Sequence, residues 1–152
     1  DKGYAGERED KSGSVIEEIV TAHELEVTGK VILPDDRQML SDQMLNYCHQ
    51  GIDLILTTGG TGFSKRDVTP EATADIIERR ADNLTFAMIA NSLQYTPKAM
   101  LSRGIAGIRE NTLIVNLPGS PKAVRENLEY AIDAIIHGVK ILKGDDAECA
   151  RK

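Results

Sequence analysis

The 152 residues carry 24 acidic and 18 basic side chains, a formal charge of −6 at pH 7, with 41% hydrophobic residues and no tryptophan. That length suits one domain, burying roughly 70% of the surface its unfolded chain exposes. The acidic balance removes any global attraction for nucleic acid or an anionic membrane. No apolar run approaches the roughly 18 residues of a transmembrane helix, and no signal-peptide pattern is present. Cys48 and Cys149 occupy unlike contexts, an amphipathic helical pattern and a polar tail, which argues against a disulfide framework and for a reducing compartment. The expectation is a cytoplasmic protein with neither nucleic acid nor membrane as a partner.

The chain opens at Asp1 in a polar stretch through Glu7 that reads as a loop caught midway, so a preceding strand is expected to be missing. Asp10 or Ser12 then caps a helix whose apolar positions Val15, Ile16, Ile19 and Val20 keep the 3.6-residue period. Glu24 to Leu33 reads as a strand, broken by Pro34-Asp35-Asp36. A second helix is predicted from about Arg37 to Gln50, with Gly51 closing it. Ile52 to Thr58 is a strand of near-continuous apolar character, suited to burial on both faces of a parallel sheet.

A glycine loop follows, and Thr69-Pro70-Glu71 starts a helix that runs to about Ala81, with Thr69 as its cap. Phe86, Met88, Ile89 and Leu93 mark another helical piece, and Thr96-Pro97 opens a short one reaching Leu101. Two strands, 104–109 and 112–117, are joined by Glu110-Asn111 as a hairpin turn without the usual glycine. A last helix spans Pro121 to Leu142, and 144–152 is a charged tail. Helix and strand patterns alternate, which predicts a three-layer α/β/α sandwich. A single domain over 1–143 is expected, followed by that tail.

Two strand ends carry glycine-bearing loops, Gly59-Gly60-Thr61-Gly62 and Pro118-Gly119-Ser120. Ligands of open α/β sheets bind outside the carboxyl ends of strands, so one cleft spanning both loops is expected. The first loop matches neither the P-loop nor the dinucleotide fingerprint, and as a bare pattern it is a weak signal, with a tight turn between a buried strand and the next element as the alternative. Asp67, beside Lys65 and Arg66, can hold Mg²⁺ and orient phosphates, or it can share the capping of the next helix. Asp35 and Asp36 can pair on a divalent metal or form a solvated turn after Pro34. His23, His49 and His137 lack metal-ligand spacing. Ser92 and Ser120 have no His/Asp constellation of the kind that activates a nucleophilic serine.

The string Thr57 to Thr73 (TTGGTGFSKRDVTPEAT), together with Leu101-Ser102-Arg103-Gly104 and Asn116-Leu117-Pro118-Gly119-Ser120, resembles the MogA/MoaB family of molybdenum-cofactor biosynthesis proteins. That family includes the gephyrin-type G domains of plants and animals. The resemblance implies a molybdopterin-binding α/β fold with a mostly parallel mixed sheet, commonly assembled as a homotrimer. In the MogA branch it implies Mg²⁺-dependent transfer of AMP from ATP to molybdopterin, with pyrophosphate released and the product handed to a molybdenum-insertion protein. By motif, Asp67 and Asp35 match the family's functional and metal-holding carboxylates. Gly59, Gly60, Thr61 and Gly62 match its ligand loop, Pro118, Gly119 and Ser120 its second loop, and Ser92 a position near the pterin. The MoaB branch implies the alternative of a non-catalytic molybdopterin-binding or scaffold module. The Arg66 to Thr73 string is closer to the MogA and gephyrin form.

Overall fold

The computed structural model describes residues 10–144, so the opening loop, any strand before it and the tail beyond Gly144 lie outside the described residues. In chain order the elements are α1 (Lys11–Ala22), α2 (Arg37–His49), β1 (Leu54–Thr58), α3 (Thr69–Ala74), β2 (Arg79–Arg80), α4 (Asp82–Ser92), a 3₁₀ turn (Pro97–Leu101), β3 (Ala106–Arg109), β4 (Thr112–Leu117) and α5 (Pro121–Leu142). Asp10 caps α1 by accepting from the Gly13 amide, Asp36 caps α2 through Met39, and Ser120 caps α5 through Ala123. Each satisfies a donor that the first helical turn leaves open.

The four described strands form one mixed sheet in the order β1-β4-β3-β2. β1 runs parallel to β4, while β4 with β3 and β3 with β2 are antiparallel. All six residues of β4 are buried, and its alternation builds two cores. Leu113, Val115 and Leu117 face a cluster with α1, α4 and α5, whereas Ile114 joins Met44, Cys48, Ile55, Ala72 and Ile76 beneath α2 and α3. Helices therefore cover both faces of the sheet, as the three-layer expectation requires.

Three expected elements differ. Residues 24–33 form no strand: the segment is irregular, opens with Glu24 at φ 65° and joins no ladder among the described residues, leaving Val27, Val31 and Ile32 at 40%, 48% and 40% exposure. A β-favouring sequence becomes a strand only where a partner supplies ladder bonds and a face to bury. The helix expected to reach Ala81 stops at Ala74, because the Glu78 and Ala81 amides donate to the Ile108 and Ala106 carbonyls and draw 79–80 into the sheet as β2. Val68, not Thr69, occupies the cap position of α3, and no side chain caps it. The 110–111 turn is built without glycine by placing Glu110 at φ 52°, while the Glu78 carboxylate accepts from the Glu110 amide at 2.7 Å.

Because Ile114 is fully buried at the centre of the α2/α3 core, Ile114→Ala is expected to cost about 2–5 kcal/mol, read as a lower urea midpoint with an unchanged slope.

Candidate functional site

β1 and β4 end side by side in parallel, with Thr58 opposite Leu117, so both glycine loops leave the same sheet edge. They are joined directly. The Gly59 amide donates to the Leu117 carbonyl at 3.2 Å, and the Thr58 hydroxyl donates to the Pro118 carbonyl at 2.6 Å. A Cβ on Gly119 would stand 3.4 Å from the Gly59 Cα, at the near limit of ordinary van der Waals contact.

Gly59 and Gly60 take φ of 87° and 70°, a conformation open to glycine and strained for most other residues. A Cβ on Gly60 would also collide with the Thr69 hydroxyl, and the Thr69 amide donates to the Gly60 carbonyl at 3.1 Å. The turn is thereby seated on the first residue of α3. The amides of Gly60, Thr61 and Gly62 donate to no acceptor among the described residues. Consecutive free N–H groups of this kind form a concavity suited to an anion.

Helices α1 and α5 point their positive ends at the same place. α5 begins directly after Gly119-Ser120. In the first turn of α1 the buried Ser12 hydroxyl donates to the Gly119 carbonyl at 2.5 Å. The sequence marks Ser12 only as a candidate cap; its contact with a loop 107 residues away has no local signal.

Asp67 stands at the far end of the first loop. Its Oδ2 accepts from the Ser64 amide at 3.0 Å, closing a tight turn over 64–67, while Oδ1 accepts no hydrogen bond from the described residues. Asp67 therefore shapes its own loop and does not cap α3. Asp36 is the capping member of the Pro34-Asp35-Asp36 string, and Asp35 is exposed on the approach to α2. α2 is fastened to α3 beyond Asp67 by the paired bonds from Arg37 to Asp75, both 2.7 Å, and by Ser41 donating to the Ala72 carbonyl. Among the described residues no group of three or more His, Cys, Asp or Glu side chains is placed to hold a metal. A site for Mg²⁺ here would be of the kind that uses one or two carboxylates and completes itself with ligand phosphates. The free oxygen of Asp67 and the hard-oxygen donor set fit that description.

Ser92 closes α4 and is 7% exposed, yet its hydroxyl has no hydrogen-bond partner among the described residues. A buried hydroxyl without a partner is costly and calls for one supplied from elsewhere. Ser120 is committed to capping α5.

Two residues that sequence reasoning names only inside motif strings prove to organise the site. Asn116, 3% exposed, donates to the hydroxyls of Thr57 and Thr73 and accepts from the Ile105 amide, knitting β4 to β1, α3 and the approach to β3. The Arg103 guanidinium donates to the Gly62 carbonyl (2.7 Å), the Asp67 carbonyl (2.6 Å) and the Glu71 carboxylate (2.5 Å). That contact with Arg103 is the main cause holding the Glu71 carboxyl below its ordinary value of 4.5.

These features define a three-layer α/β domain in which two glycine loops meet at adjacent strand ends. Residues 1–137 match the family described as "Probable molybdopterin binding domain". The chain is 38% identical over 148 residues to a molybdopterin adenylyltransferase of Helicobacter pylori strain J99, covering 95% of this chain and 84% of that protein. It is 47% identical over 116 residues to gephyrin of Dictyostelium discoideum, covering 76% of this chain but only 16% of gephyrin. A crystal structure of the molybdopterin biosynthesis enzyme MoaB from Thermus thermophilus superposes with a TM-score of 0.89 at 42% identity, over 95% of this chain and 91% of that one. The chain belongs to the molybdopterin-binding domain family of molybdenum-cofactor biosynthesis.

Gly60→Ala meets both a positive φ and the Thr69 hydroxyl, so it is expected to destabilise by about 1–3 kcal/mol in chemical denaturation. The double variant with Thr69→Ala is expected to recover only the part due to the collision. The Glu71 pKa is depressed in the folded state, so the pairing stabilises fully above the unfolded value and its contribution is lost as pH falls through the depressed one. The melting-temperature gap between wild type and Glu71→Gln is therefore expected to close as pH is lowered from about 7 toward about 3.

Proposed function

We propose that this chain transfers AMP from ATP to molybdopterin in molybdenum-cofactor biosynthesis, releasing pyrophosphate. The observation that carries this reading is the direct apposition of two glycine loops at one sheet edge, with three consecutive amides unspent beside Asp67. The similarity to an adenylyltransferase over nearly the whole chain supports it.

In this reading Gly60, Thr61 and Gly62 receive phosphate oxygens through their amides, and the close pairing of Gly59 with Gly119 keeps side chains out of the reacting region. Pro118, Gly119 and Ser120 form the second wall, and Ser92 is assigned to the pterin side by motif alone, its hydroxyl being enclosed within the protein. The terminal phosphate oxygen of molybdopterin bonds to the α-phosphorus of ATP as the bond to the bridging oxygen of pyrophosphate breaks. The catalytic contribution is positioning and charge neutralisation, as in phosphoryl-type transfer generally. Asp67 through Oδ1, with Asp35, would hold Mg²⁺, whose charge neutralises the departing pyrophosphate. The reading includes a cytoplasmic homotrimer that passes adenylylated product to a molybdenum-insertion protein.

Incubating the protein with molybdopterin, ATP and Mg²⁺ tests it, with pyrophosphate release as the readout. Asp67→Asn is expected to keep pterin affinity within about threefold and to lower AMP transfer by about 10²-fold or more. Tight pterin binding by the wild type without pyrophosphate release would instead identify a molybdopterin-binding module, and equal transfer by both proteins would remove Asp67 from the mechanism.

A further inference from the structure

Loop 61–67 is a tongue with an exposed tip. Phe63 is 70% exposed, and Ser64, Lys65 and Arg66 are exposed as well. Within the tip the bonds between Ser64 and Asp67 shape the turn, but an apolar side chain and two cations projecting into water do not anchor it to the rest of the domain. Its base is held differently.

The Arg103 amide donates to the Thr61 carbonyl at 2.8 Å, and its Nε donates to the Gly62 carbonyl at 2.7 Å, fixing the entering strand of the tongue. One terminal nitrogen donates to the Asp67 carbonyl at 2.6 Å, fixing the leaving strand. The other reaches Glu71 in the first turn of α3 at 2.5 Å. The planar guanidinium thus spans both ends of the tongue at once, which a lysine ammonium cannot do. Its charge is met by the Glu71 carboxylate and most of its N–H groups are committed, so it is not free to serve as a phosphate ligand.

We propose that Arg103 is a positioning residue: a clasp that closes the base of the 61–67 tongue and thereby fixes the free amides of the glycine loop and the Asp67 carboxylate relative to one another. The link to catalysis rests on the adenylyl-transfer reading above, whereas the clasp itself does not.

Two measurements separate these. Trypsin needs its substrate extended, which the hydrogen-bonded turn over 64–67 is not, so the initial cleavage rate after Lys65 and Arg66 reports opening of the tongue without any ligand. Arg103→Lys and Arg103→Ala are each expected to raise that rate about tenfold or more. Glu71→Gln, which keeps the carbonyl bonds, is expected to give an intermediate rise. An unchanged rate in Arg103→Lys, with its circular dichroism intact, overturns the clasp whatever the other variants do.

In pyrophosphate release, Arg103→Lys is expected to lose about 10²-fold in kcat while KM for molybdopterin moves less than about threefold, the pattern of a misplaced catalytic group. Near-normal kcat in Arg103→Lys would show that a positive charge alone suffices and would overturn the positioning role. If the wild type releases no pyrophosphate, the adenylyl-transfer reading fails and the trypsin rates still decide the clasp.

Discussion

The side-by-side ending of β1 and β4 is the constraint on which the rest of this domain depends. A parallel pair sends both chains out of the same sheet edge, and here the ladder runs one bond past the strands, from the Gly59 amide to the Leu117 carbonyl. That bond and the one from Thr58 to Pro118 draw the two loops into contact. Glycine at 59 follows from its positive φ, before any ligand is considered, and a Cβ at 119 would just touch the Gly59 backbone. Burial of β4 on both faces supplies the rigidity, since neither strand end can shift without disturbing two cores.

Polar groups inside such a junction must be satisfied, and Asn116 shows how this is done. Its amide spends both donors on threonine hydroxyls from β1 and α3 and its oxygen on the Ile105 amide. A buried polar network in which every member is paired specifies one arrangement of the elements it joins. Thr73 in turn donates to the Thr69 carbonyl, and Thr69 lies beneath Gly60. The path from the sheet interior to the glycine loop is thus continuous and made of short polar side chains.

The sequence is most legible where the period is long and the burial simple. Helices α2 and α5 lie within a residue of their expected bounds, because their apolar stripes and caps point to one answer. The glycine loops are visible as loops, and the strand alternation places them at one edge. What cannot be read depends on partners distant in the chain. Ile76 and Ile77 look like a continuing helix, but both pack against the α2/α3 core while the next residues pair with β3. Residues 24–33 have the composition of a strand without a ladder partner among the described residues. Ser12 reaches Gly119 and Arg103 reaches Gly62 across 107 and 41 residues, and neither carries a pattern that would announce its target.

Charge around the cleft obeys the same dependence on distant partners. In a chain of net charge −6, anion binding must come from local fields. The arginine clasping the glycine loop is matched by Glu71, while Lys65 and Arg66 sit on the exposed tip of the tongue. In the proposed site the attraction therefore falls to backbone dipoles: the amides of Gly60 to Gly62 and the N-terminal ends of α1 and α5. Dipoles of this kind do not titrate, so their strength depends on how well they are held in register. In this domain the quality of an electrostatic site is accordingly set by packing and hydrogen bonding, with Asn116 fixing the floor and Arg103 the rim.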